Sequence, residues 1–564
     1  MNSRLICSLV LTTVYCLSTT QTSFAEAPAV TYLFPAGGKQ GTEVVVTVAG
    51  KLGTAPVSIW ASDSGITATV PEKPAKANQI SVKIAKNAQP GIYWLRFHNA
   101  EGASDLRAFI VGTLTEALEK EPNNNLKEAQ ALEGSQLVVN GVLSKSGDVD
   151  TFAVSLQKGQ TLVVSMEAHR NLASPMDGIL QIVSERGFVL DQNDDLHGND
   201  PQIAFTAPAA GKYYVRTFAF PAAPNSTLRF SGAASYVYRI TFTTGPFADH
   251  TYPMATTADA SSVKVFGWNI PAGLQQLPVT PARLVGGPQL HHGQLANALE
   301  LRQVAGAVVV EAEANAGKKP QPINIPSTIT GRIEATKEAD SYTFQATKGQ
   351  KVIFRAESKS FGSALDPYLR LFDSTGKLIR EIDDTKRNSI ECTLKYTFPA
   401  DGAYRLQISD LYQHGSFRHV YRLGITEEKP DFQLTIAASK FILDGGKPLE
   451  IPVSVVRNDA TSGNFTGEIE VSVVGLPAGV TAAVGKSTAK GDTSKTVKLT
   501  LKSTSEKAFH GPITIVGKVA ADKSLTRKAS AAITNTPFKI ATLWLTLKPL
   551  PPHKPVEAKK PAVK

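Results

Sequence analysis

The chain has 564 residues, of which 42% are hydrophobic and 19% charged, and its formal net charge is +10. This composition excludes an intrinsically disordered chain, and the length exceeds the ~250–300 residues at which single hydrophobic cores stop growing. The 59 basic residues are interspersed with 49 acidic ones and no nucleic-acid-binding module accompanies them, so no nucleic-acid partner is expected.

The first 25 residues have the pattern of a secretory signal peptide. Arg4 supplies a positive charge, an apolar run covers residues 5–17, and Ser23-Phe24-Ala25 is a small-x-small cleavage site. We expect cleavage after Ala25 and a mature protein that is secreted, periplasmic or at the cell surface. No later stretch reaches the ~20 apolar residues of a transmembrane helix.

Cysteine usage limits how the mature chain can be stabilised. Cys7 and Cys16 leave with the signal peptide, so Cys392 remains without an intrachain disulfide partner. The domains must then be held by their hydrophobic cores, by bound ions, or by both. Cys392 lies in a strand-like run, and we expect a buried, unreactive thiol.

Alternating apolar and polar residues dominate the rest of the chain, as in the segments 43–48, 92–97 and 403–408. This is the period of strands buried on one face, and turn residues separate the segments at β-sandwich spacing. The pattern predicts an all-β protein of tandem β-sandwich domains on a string. Short helices are expected only at residues 114–120 and 295–302.

An internal repeat organises the middle of the chain. Its first copy contains Asn140-Gly141-Val142-Leu143 and Gly147-Asp148-Val149-Asp150-Thr151-Phe152. Its second copy contains Thr330-Gly331-Arg332-Ile333 and Glu338-Ala339-Asp340-Ser341-Tyr342-Thr343-Phe344. Downstream, the run at 208–213 matches that at 399–404, each with the pattern Pro-Ala-x-Gly-x-Tyr.

The repeat resembles the bacterial pre-peptidase C-terminal domain, a jelly-roll-like β-sandwich. The resemblance rests on Glu119-Lys120-Glu121-Pro122-Asn123-Asn124 ahead of the Gly-Asp-x-Asp-x-Phe motif at 147–152. The second copy lacks the Glu-Pro-Asn segment and has Gly317-Lys318-Lys319-Pro320 nearby instead. The flanking blocks resemble Ig-like domains, the first of the IPT/TIG type.

These resemblances give the expected domain order. After the signal peptide (1–25) come an Ig-like sandwich (26–114), a pre-peptidase C-terminal-like sandwich (115–245), an Ig-like sandwich (246–317), a second pre-peptidase C-terminal-like sandwich (318–428), an Ig-like sandwich (429–537) and a Pro/Lys-rich disordered tail (538–564).

Oxygen-bearing side chains concentrate before and within the first copy of the repeat. Calcium takes six to eight oxygen ligands from carboxylates, amides and carbonyls. The resemblance implies a structural Ca²⁺ that fastens the linker to the sandwich; the alternative is that these residues only cap turns. The candidate ligands are Glu119, Glu121, Asn123, Asn124, Asp148 and Asp150. The second copy keeps Glu338 and Asp340 without the linker ligands, so calcium is expected there less than in the first copy.

Aromatic residues in one predicted strand are candidates for ligand binding. Tyr213, Tyr214 and Phe218 lie where alternate side chains face opposite sides of a sheet. Exposed rings can stack on sugars or pack on fibrous protein, whereas the alternative interpretation places most of them in the core.

Catalytic motifs are absent from the sequence. There is no G-x-S-x-G, H-E-x-x-H or P-loop pattern, and His291-His292-Gly293 is interpreted as a solvated loop. The Asp, His and Ser boxes of the subtilisin-type peptidases that carry the resembled domain do not occur either. We expect a non-enzymatic binding or surface-scaffold protein for an extracellular polysaccharide, protein polymer or envelope protein. The alternatives are an accessory subunit of a secreted peptidase or other hydrolase, and a hydrolase hidden among the Ig-like blocks.

Overall fold

The computed structural model describes residues 25–550, except 224, 227–228, 280–288, 313–318, 386–390 and 523. All but the last residue of the predicted signal peptide therefore lies outside the described residues. The described residues form β-sheets almost throughout, with one short helix, α1 (His169–Leu172), and two 3-10 helices (Ala272–Leu274 and Lys359–Phe361). The predicted all-β class is confirmed. No helix in the described part of the chain is long and apolar enough to cross a bilayer.

The first domain is a sandwich of two sheets. Its strands are β1 (Ala29–Phe34), β2 (Gly37–Lys39), β3 (Glu43–Lys51), β4 (Ser58–Ala61), β5 (Ile66–Thr69), β6 (Gln79–Ile84), β7 (Gly91–Asn99), β8 (Gly102–Ala103) and β9 (Arg107–Gly112). One sheet has the order β1-β3-β6-β5, and the other has the order β2-β9-β7-β4 with β8 beside β7. Along β3, Val46 and Val48 are buried while Val45 and Thr47 are exposed, as the alternation predicts.

The second domain is a sandwich of two five-stranded sheets. Its strands are β10 (Thr115–Leu118), β11 (Gln130–Ala131), β12 (Gln136–Val142), β13 (Asp150–Leu156), β14 (Thr161–Glu167), β15 (Met176–Ser184), β16 (Val189–Asn193), β17 (Gln202–Thr206), β18 (Gly211–Pro221) and β19 (Val237–Thr243). The sheet orders are β10-β12-β19-β14-β17 and β11-β13-β18-β15-β16. The helix predicted at 114–120 is wrong, because this segment is the strand β10 and pairs in parallel with β12.

The third region forms smaller sheets than the predicted Ig-like sandwich over 246–317. Its strands are β20 (Phe247–Tyr252), β21 (Ala255–Thr256), β22 (Ser262–Trp268), β23 (Gln276–Pro278), β24 (Gln289–Leu290), β25 (Leu299–Glu300) and β26 (Arg302–Gln303). Strands β20, β22 and β23 form a three-stranded sheet, whereas β21 pairs with β26 and β24 pairs with β25. The helix predicted at 295–302 is likewise wrong, since the short strands β25 and β26 occupy it. Residues 280–288 lie outside this description.

The fourth domain is a second sandwich of two five-stranded sheets. Its strands are β27 (Val308–Val310), β28 (Gln321–Pro322), β29 (Ser327–Arg332), β30 (Ala339–Ala346), β31 (Lys351–Glu357), β32 (Pro367–Phe372), β33 (Leu378–Ile382), β34 (Cys392–Thr397), β35 (Gly402–Asp410) and β36 (Val420–Glu427). The sheet orders are β27-β29-β36-β31-β34 and β28-β30-β35-β32-β33. Every strand therefore has a counterpart, in the same place, in the second domain.

This correspondence corrects the start of the second copy of the repeat. The fourth domain begins with Val308 rather than at residue 318, because β27 pairs in parallel with β29 as β10 does with β12. Glu311 follows β27 as Glu119 follows β10. We expected the second copy to lack all the linker ligands, and this is wrong for Glu311, which is the counterpart of Glu119. Residues 313–318 lie outside the described residues.

The fifth domain consists mainly of two large sheets. Its strands are β37 (Pro430–Asp431), β38 (Gln433–Ile436), β39 (Lys440–Asp444), β40 (Leu449–Val456), β41 (Gly463–Asn464), β42 (Ile469–Val474), β43 (Val480–Ala482), β44 (Gly485–Ser487), β45 (Thr496–Ser503), β46 (Phe509–Val519), β47 (Thr526–Lys528), β48 (Ser530–Ala532), β49 (Lys539–Ile540) and β50 (Leu543–Lys548). The sheet orders are β43-β45-β40-β38-β48-β49 and β39-β50-β46-β42-β44, with β47 beside β46, and β37 pairs separately with β41.

The predicted boundary of the C-terminal tail, at residue 538, is too early. Strand β50 pairs with both β39 and β46, and its Leu543, Leu545 and Leu547 are fully buried. The alternating leucines of this segment make it a strand buried on one face, although the residues that follow it are rich in Pro and Lys. Residues 551–564, the rest of the predicted tail, lie outside the described residues.

The first and fifth domains contact each other, so the chain folds back rather than running as a string. The rings of Trp60 and Trp544 meet edge to face with centroids 6.0 Å apart, and those of Trp94 and Phe538 do so at 5.6 Å. Lys548 also forms an ion pair with Glu101 of the first domain, at 2.6 Å.

Candidate functional site

The linker segment, residues 119–124, lies against the turn that leads into β13. The backbone N–H of Glu119 donates to the Asn140 carbonyl of β12 at 3.0 Å, and the N–H of Thr151 donates to the Asn123 carbonyl at 2.9 Å. Gly147 has a positive φ of 84°, which glycine adopts without strain, and so the chain can turn sharply before Asp148. These contacts bring the acidic residues of the linker and of the turn together.

Three carboxylates meet at this junction. Glu121, Asp148 and Asp150 each offer a ligand atom within 4.8 Å of the other two. Asp148 and Asp150 are fully buried, whereas Glu121 is exposed. The Asp148 Oδ2 atom accepts hydrogen bonds from the backbone N–H and the hydroxyl of Ser144, at 2.6 and 2.9 Å. Its Oδ1 atom is buried without a hydrogen-bond partner, so this oxygen lacks a donor that burial would normally require.

The side-chain amide of the buried Asn123 completes the cluster. In one orientation its oxygen lies 3.0 Å from Asp150 Oδ1 and 3.3 Å from Glu121 Oε2, facing acceptors only. In the rotated orientation its nitrogen donates to both carboxylates. The first orientation suits a cation between the oxygens, and the second suits a cluster without one.

The charge of the cluster has no counter-ion among the side chains that the structure describes. Within the described part of the chain, no Lys, Arg or His side chain forms an ion pair with Glu119, Glu121, Asp148 or Asp150. Burial raises the pKa of Asp150 to about 9, and the Glu119 charge adds to this shift. Burial also raises the pKa of Glu119. Both shifts have the same direction, so without a cation the protonated form of this carboxyl pair is favoured.

The residues at the junction fit a hard cation such as Ca²⁺. Carboxylate and amide oxygens are its preferred ligands, and bidentate carboxylates, backbone carbonyls and water make up the usual six to eight. Glu121, Asn123, Asp148 and Asp150 are the residues that would hold it. They include the buried Asp148 oxygen that has no other partner.

The structure gives the other two predicted ligands different contacts. Glu119 Oε2 accepts hydrogen bonds from the backbone N–H of Val142 at 3.0 Å and from the Tyr238 hydroxyl at 2.7 Å. The same hydroxyl lies 2.6 Å from Asp150 Oδ2. Glu119 thus locks the linker to the sandwich from beside the cluster. The half-buried Asn124 turns its Nδ2 toward Glu121 Oε2, at 3.4 Å.

The fourth domain repeats the lock of the second domain. Glu311 Oε2 accepts the backbone N–H of Arg332 at 2.8 Å, and the Tyr421 hydroxyl donates to Asp340 Oδ2 at 2.6 Å. Burial raises the pKa of Asp340 to about 9, with Glu311 as the next cause. Glu338, which takes the place of Asp148, accepts the backbone N–H of Ala335 instead.

Tyr238 and Glu311 were not predicted as site residues, although the sequence carries a signal for both. The repeat extends to Val237-Tyr238-Arg239 and Val420-Tyr421-Arg422, which places a tyrosine at the same point of each copy. Glu311 precedes the second copy as Glu119 precedes the first. A comparison of the copies continued to both ends of the repeat would have found these residues.

The predicted aromatic binding platform is not exposed. Tyr213, Tyr214 and Phe218 are each 7% exposed. Tyr213 belongs to the main core of the second domain, Tyr214 packs on Ala153 and Val183, and Phe218 stacks on Phe230 with centroids 4.2 Å apart. Both faces of this strand are covered, so these three rings cannot form the expected surface.

Cys392 is a free, fully buried thiol in β34, as predicted. Burial raises its pKa well above the usual range for a thiol. It therefore lacks the thiolate character that a nucleophilic cysteine requires.

Comparisons with known proteins identify one domain of the chain. Residues 148–219 match the family model of the bacterial pre-peptidase C-terminal domain. A stretch of 96 residues is 29% identical to a probable subtilase-type serine protease of Deinococcus radiodurans; it covers 17% of this chain and 13% of that protein. The chain thus spans a small part of that relative.

Solved structures similar to this chain include small domains that it covers completely. One is the pre-peptidase C-terminal domain of collagenase from Bacillus anthracis, at 15% identity and a TM-score of 0.17 over 20% of this chain and 99% of that chain. Another is PliG, a periplasmic inhibitor of g-type lysozyme from Salmonella Typhimurium, at 21% identity and a TM-score of 0.15 over 20% of this chain and 100% of that chain. The family match shows that residues 148–219 belong to a bacterial pre-peptidase C-terminal domain within a longer all-β chain.

Proposed function

We propose that this protein is a non-enzymatic extracellular scaffold in which calcium fastens the linker segment to the second domain. The observation that carries the proposal is the buried Asp148 Oδ1, which has no hydrogen-bond partner among the described residues and stands in an oxygen cluster that no described basic side chain neutralises. Four oxygen-bearing residues on two separate segments converge there. An ion at this point would join the linker to the turn and so fix the second domain relative to what precedes it.

The remaining features support a role in presentation at the cell surface or outside the cell. The pattern of residues 1–25 favours export, and the bacterial pre-peptidase C-terminal match favours an extracellular setting. We assign the fourth domain as a second copy of this family on its identical strand order, and the first domain as Ig-like, of the IPT/TIG type. The partner would be an extracellular polysaccharide, a protein polymer or another envelope protein, bound on the surfaces of these domains.

The calcium site is tested by thermal unfolding with and without chelator. A free Ca²⁺ concentration 100 times the Kd adds about 2.7 kcal/mol to the free energy of unfolding. Calcium is therefore expected to raise the Tm of the wild-type protein by several degrees. Glu121→Gln keeps the side chain's size and hydrogen bonds, and it should lose most of this rise while leaving the Tm in chelator unchanged.

Glu133→Gln is the matched control, since Glu133 is exposed on the same domain and is not a member of the cluster. It should respond to calcium like the wild-type protein. An equal Tm change for Glu121→Gln in calcium and in chelator would reject the site.

A second function, an accessory or targeting subunit of a secreted hydrolase, is favoured by the similarity of 96 residues to a subtilase-type protease. It is distinguished by pull-down of envelope and secreted fractions with the mature protein, in calcium and in chelator. Calcium-dependent recovery of a peptidase would favour this function, and recovery of polymer without a hydrolase would favour the scaffold.

A further inference from the structure

A loop of the fourth domain brings together three side chains that suit a transition metal. It joins β35 to β36 and contributes Asp410, His414 and His419, each with a ligand atom within 4.8 Å of the other two. Two imidazoles and a carboxylate are ligands of Zn²⁺ and similar ions, whereas Ca²⁺ selects oxygen ligands alone. This set lies outside the calcium cluster described above and belongs to a different domain.

Asp410 is fixed by the loop that surrounds it. Its carboxylate is buried, and Oδ2 accepts the backbone N–H groups of Tyr412 and His414 at 2.9 and 3.0 Å. Oδ1 accepts one hydrogen bond, from the backbone N–H of Asp366 at 2.8 Å. A carboxylate oxygen has two lone-pair sites, so Oδ1 keeps one of them for a metal ion.

His419 is also held in place. The side chain is 9% exposed, and its Nδ1 lies 2.8 Å from the Ser416 hydroxyl oxygen. With the proton on Nδ1 and donated to this oxygen, Nε2 is left as the metal ligand, which is how an outer partner orients a metal-binding histidine. Asp410 and His419 therefore form a pre-arranged pair.

His414 is the adjustable member of the set. Its side chain is 70% exposed, and its Nδ1 lies 3.9 Å from Asp410 Oδ2. Ligand atoms around a tetrahedral zinc ion with bonds of ~2.0–2.1 Å are about 3.4 Å apart. The ligand atoms of this set lie within 4.8 Å of one another, so they must approach one another to reach this spacing, and an exposed imidazole can do so by rotation about its side-chain torsions. A water molecule can take the fourth position.

The set is specific to the fourth domain. Strand β18 of the second domain is equivalent to β35 of the fourth domain, and Gly211 corresponds to Gly402. Counted from these glycines, Ala219 stands at the position equivalent to Asp410. The residue before β19 is Tyr236, where the fourth domain has His419. The second domain thus shares the fold without these ligands, and the fold by itself does not require them.

The loop also connects two domains. Arg418, next to His419, forms an ion pair with Asp249 of the third region, with its Nε 3.1 Å from Oδ1, and it donates to the Gly362 carbonyl at 2.9 Å. We propose that Asp410, His414 and His419 bind a transition-metal ion of the zinc type, which holds the loop that carries Arg418 against the third region.

The test is the zinc content of the untagged mature protein after equilibrium dialysis with saturating Ca²⁺, measured by mass spectrometry. One zinc ion per chain is expected in the wild-type protein, and zinc should raise its Tm. His414→Ala should weaken zinc binding by more than the about 10–100-fold typical of removing a group that only orients a ligand. Because His414 is exposed, this variant should melt like the wild-type protein in chelator.

His292→Ala, at a half-buried histidine of the third region, is the control for adventitious zinc on other imidazoles and should keep the full zinc content. Equal zinc binding by His414→Ala and the wild-type protein would overturn the proposal. Displacement of the zinc by Ca²⁺, or the absence of bound zinc, would overturn it as well.

Discussion

At the scale of single residues, the linker is held by a buried carboxyl pair and a tyrosine hydroxyl. Glu119 and Asp150 share the hydroxyl of Tyr238, which is itself fully buried. Leaving a buried polar group unpaired costs about 1–3 kcal/mol, so all three groups depend on one another. Burial is also what raises the pKa of the two acids and favours the protonated form of the pair when no cation is present.

The close approach of these groups depends on a glycine beneath them. A methyl group at Gly141 would overlap both Glu119 Oε2 and the Tyr238 hydroxyl. Gly141→Ala is expected to lower the free energy of unfolding by about 1–3 kcal/mol, as overpacking usually does. Urea unfolding followed by tryptophan fluorescence and circular dichroism measures this change.

Gly211→Ala provides the comparison, because nothing lies within 4 Å of a methyl group there. It should be neutral or slightly stabilising, since alanine restricts the unfolded chain. If both substitutions changed the free energy of unfolding equally, the packing around Gly141 would not be the cause of the loss in Gly141→Ala.

Four of the residues that meet at the junction could be predicted from the sequence. Their carboxylates and amides recur at alternate positions, and this spacing can be recognised without comparing the two copies of the repeat. It could not separate Glu119, which locks the linker, from the residues that converge on one point, because that distinction depends on where Tyr238 lies across the sheet. For the same reason the rings at Tyr213, Tyr214 and Phe218 could not be assigned to a buried or an exposed face before the second layer was known.

At the scale of elements, the repeat in the sequence corresponds to a repeat of strand order in the second and fourth domains. The strand period predicted the long strands because one face of each is buried. The prediction missed short strands that form only because they pair with a distant part of the chain. Strand β10 has helix-forming residues, and its parallel pairing with β12 overrides their preference.

The two copies also differ in ways that bear on their ions. Both Asp148 and Glu338 cap their own turns, and in the second domain Asp148 also meets Glu121 of the linker. The fourth domain in turn carries Asp410, His414 and His419, which the second domain lacks. The same fold thus supports an oxygen cluster in one copy and a mixed nitrogen–oxygen cluster in the other.

At the scale of the whole molecule, the first and fifth domains close the chain on itself. Their contact includes His98, whose ring lies 4.7 Å from that of Trp544 and 6.1 Å from that of His510. Burial, followed by the charges of His510 and Arg96, lowers the pKa of His98 to about 4. Sequence patterns are local, so they could not predict a contact between the two ends of the chain.

This contact predicts acid sensitivity. Between pH 6.5 and about 4 the unfolded chain protonates His98 while the folded protein does not, so stability rises with pH across this window and levels off above it. His98→Gln should flatten this part of the profile, measured as Tm against pH in chelator. His414→Ala, at an exposed histidine, should keep the wild-type profile; a wild-type profile for His98→Gln would contradict the prediction.

A cation that joins the linker segment to the turn at Asp148 and Asp150 should be detected by calcium titration in a calorimeter. We expect one high-affinity Ca²⁺ per wild-type chain and a Kd at least about tenfold weaker in Glu121→Gln, because a ligand charge sets calcium affinity. A wild-type chain that binds no calcium, or an unchanged Kd in Glu121→Gln, would contradict this expectation.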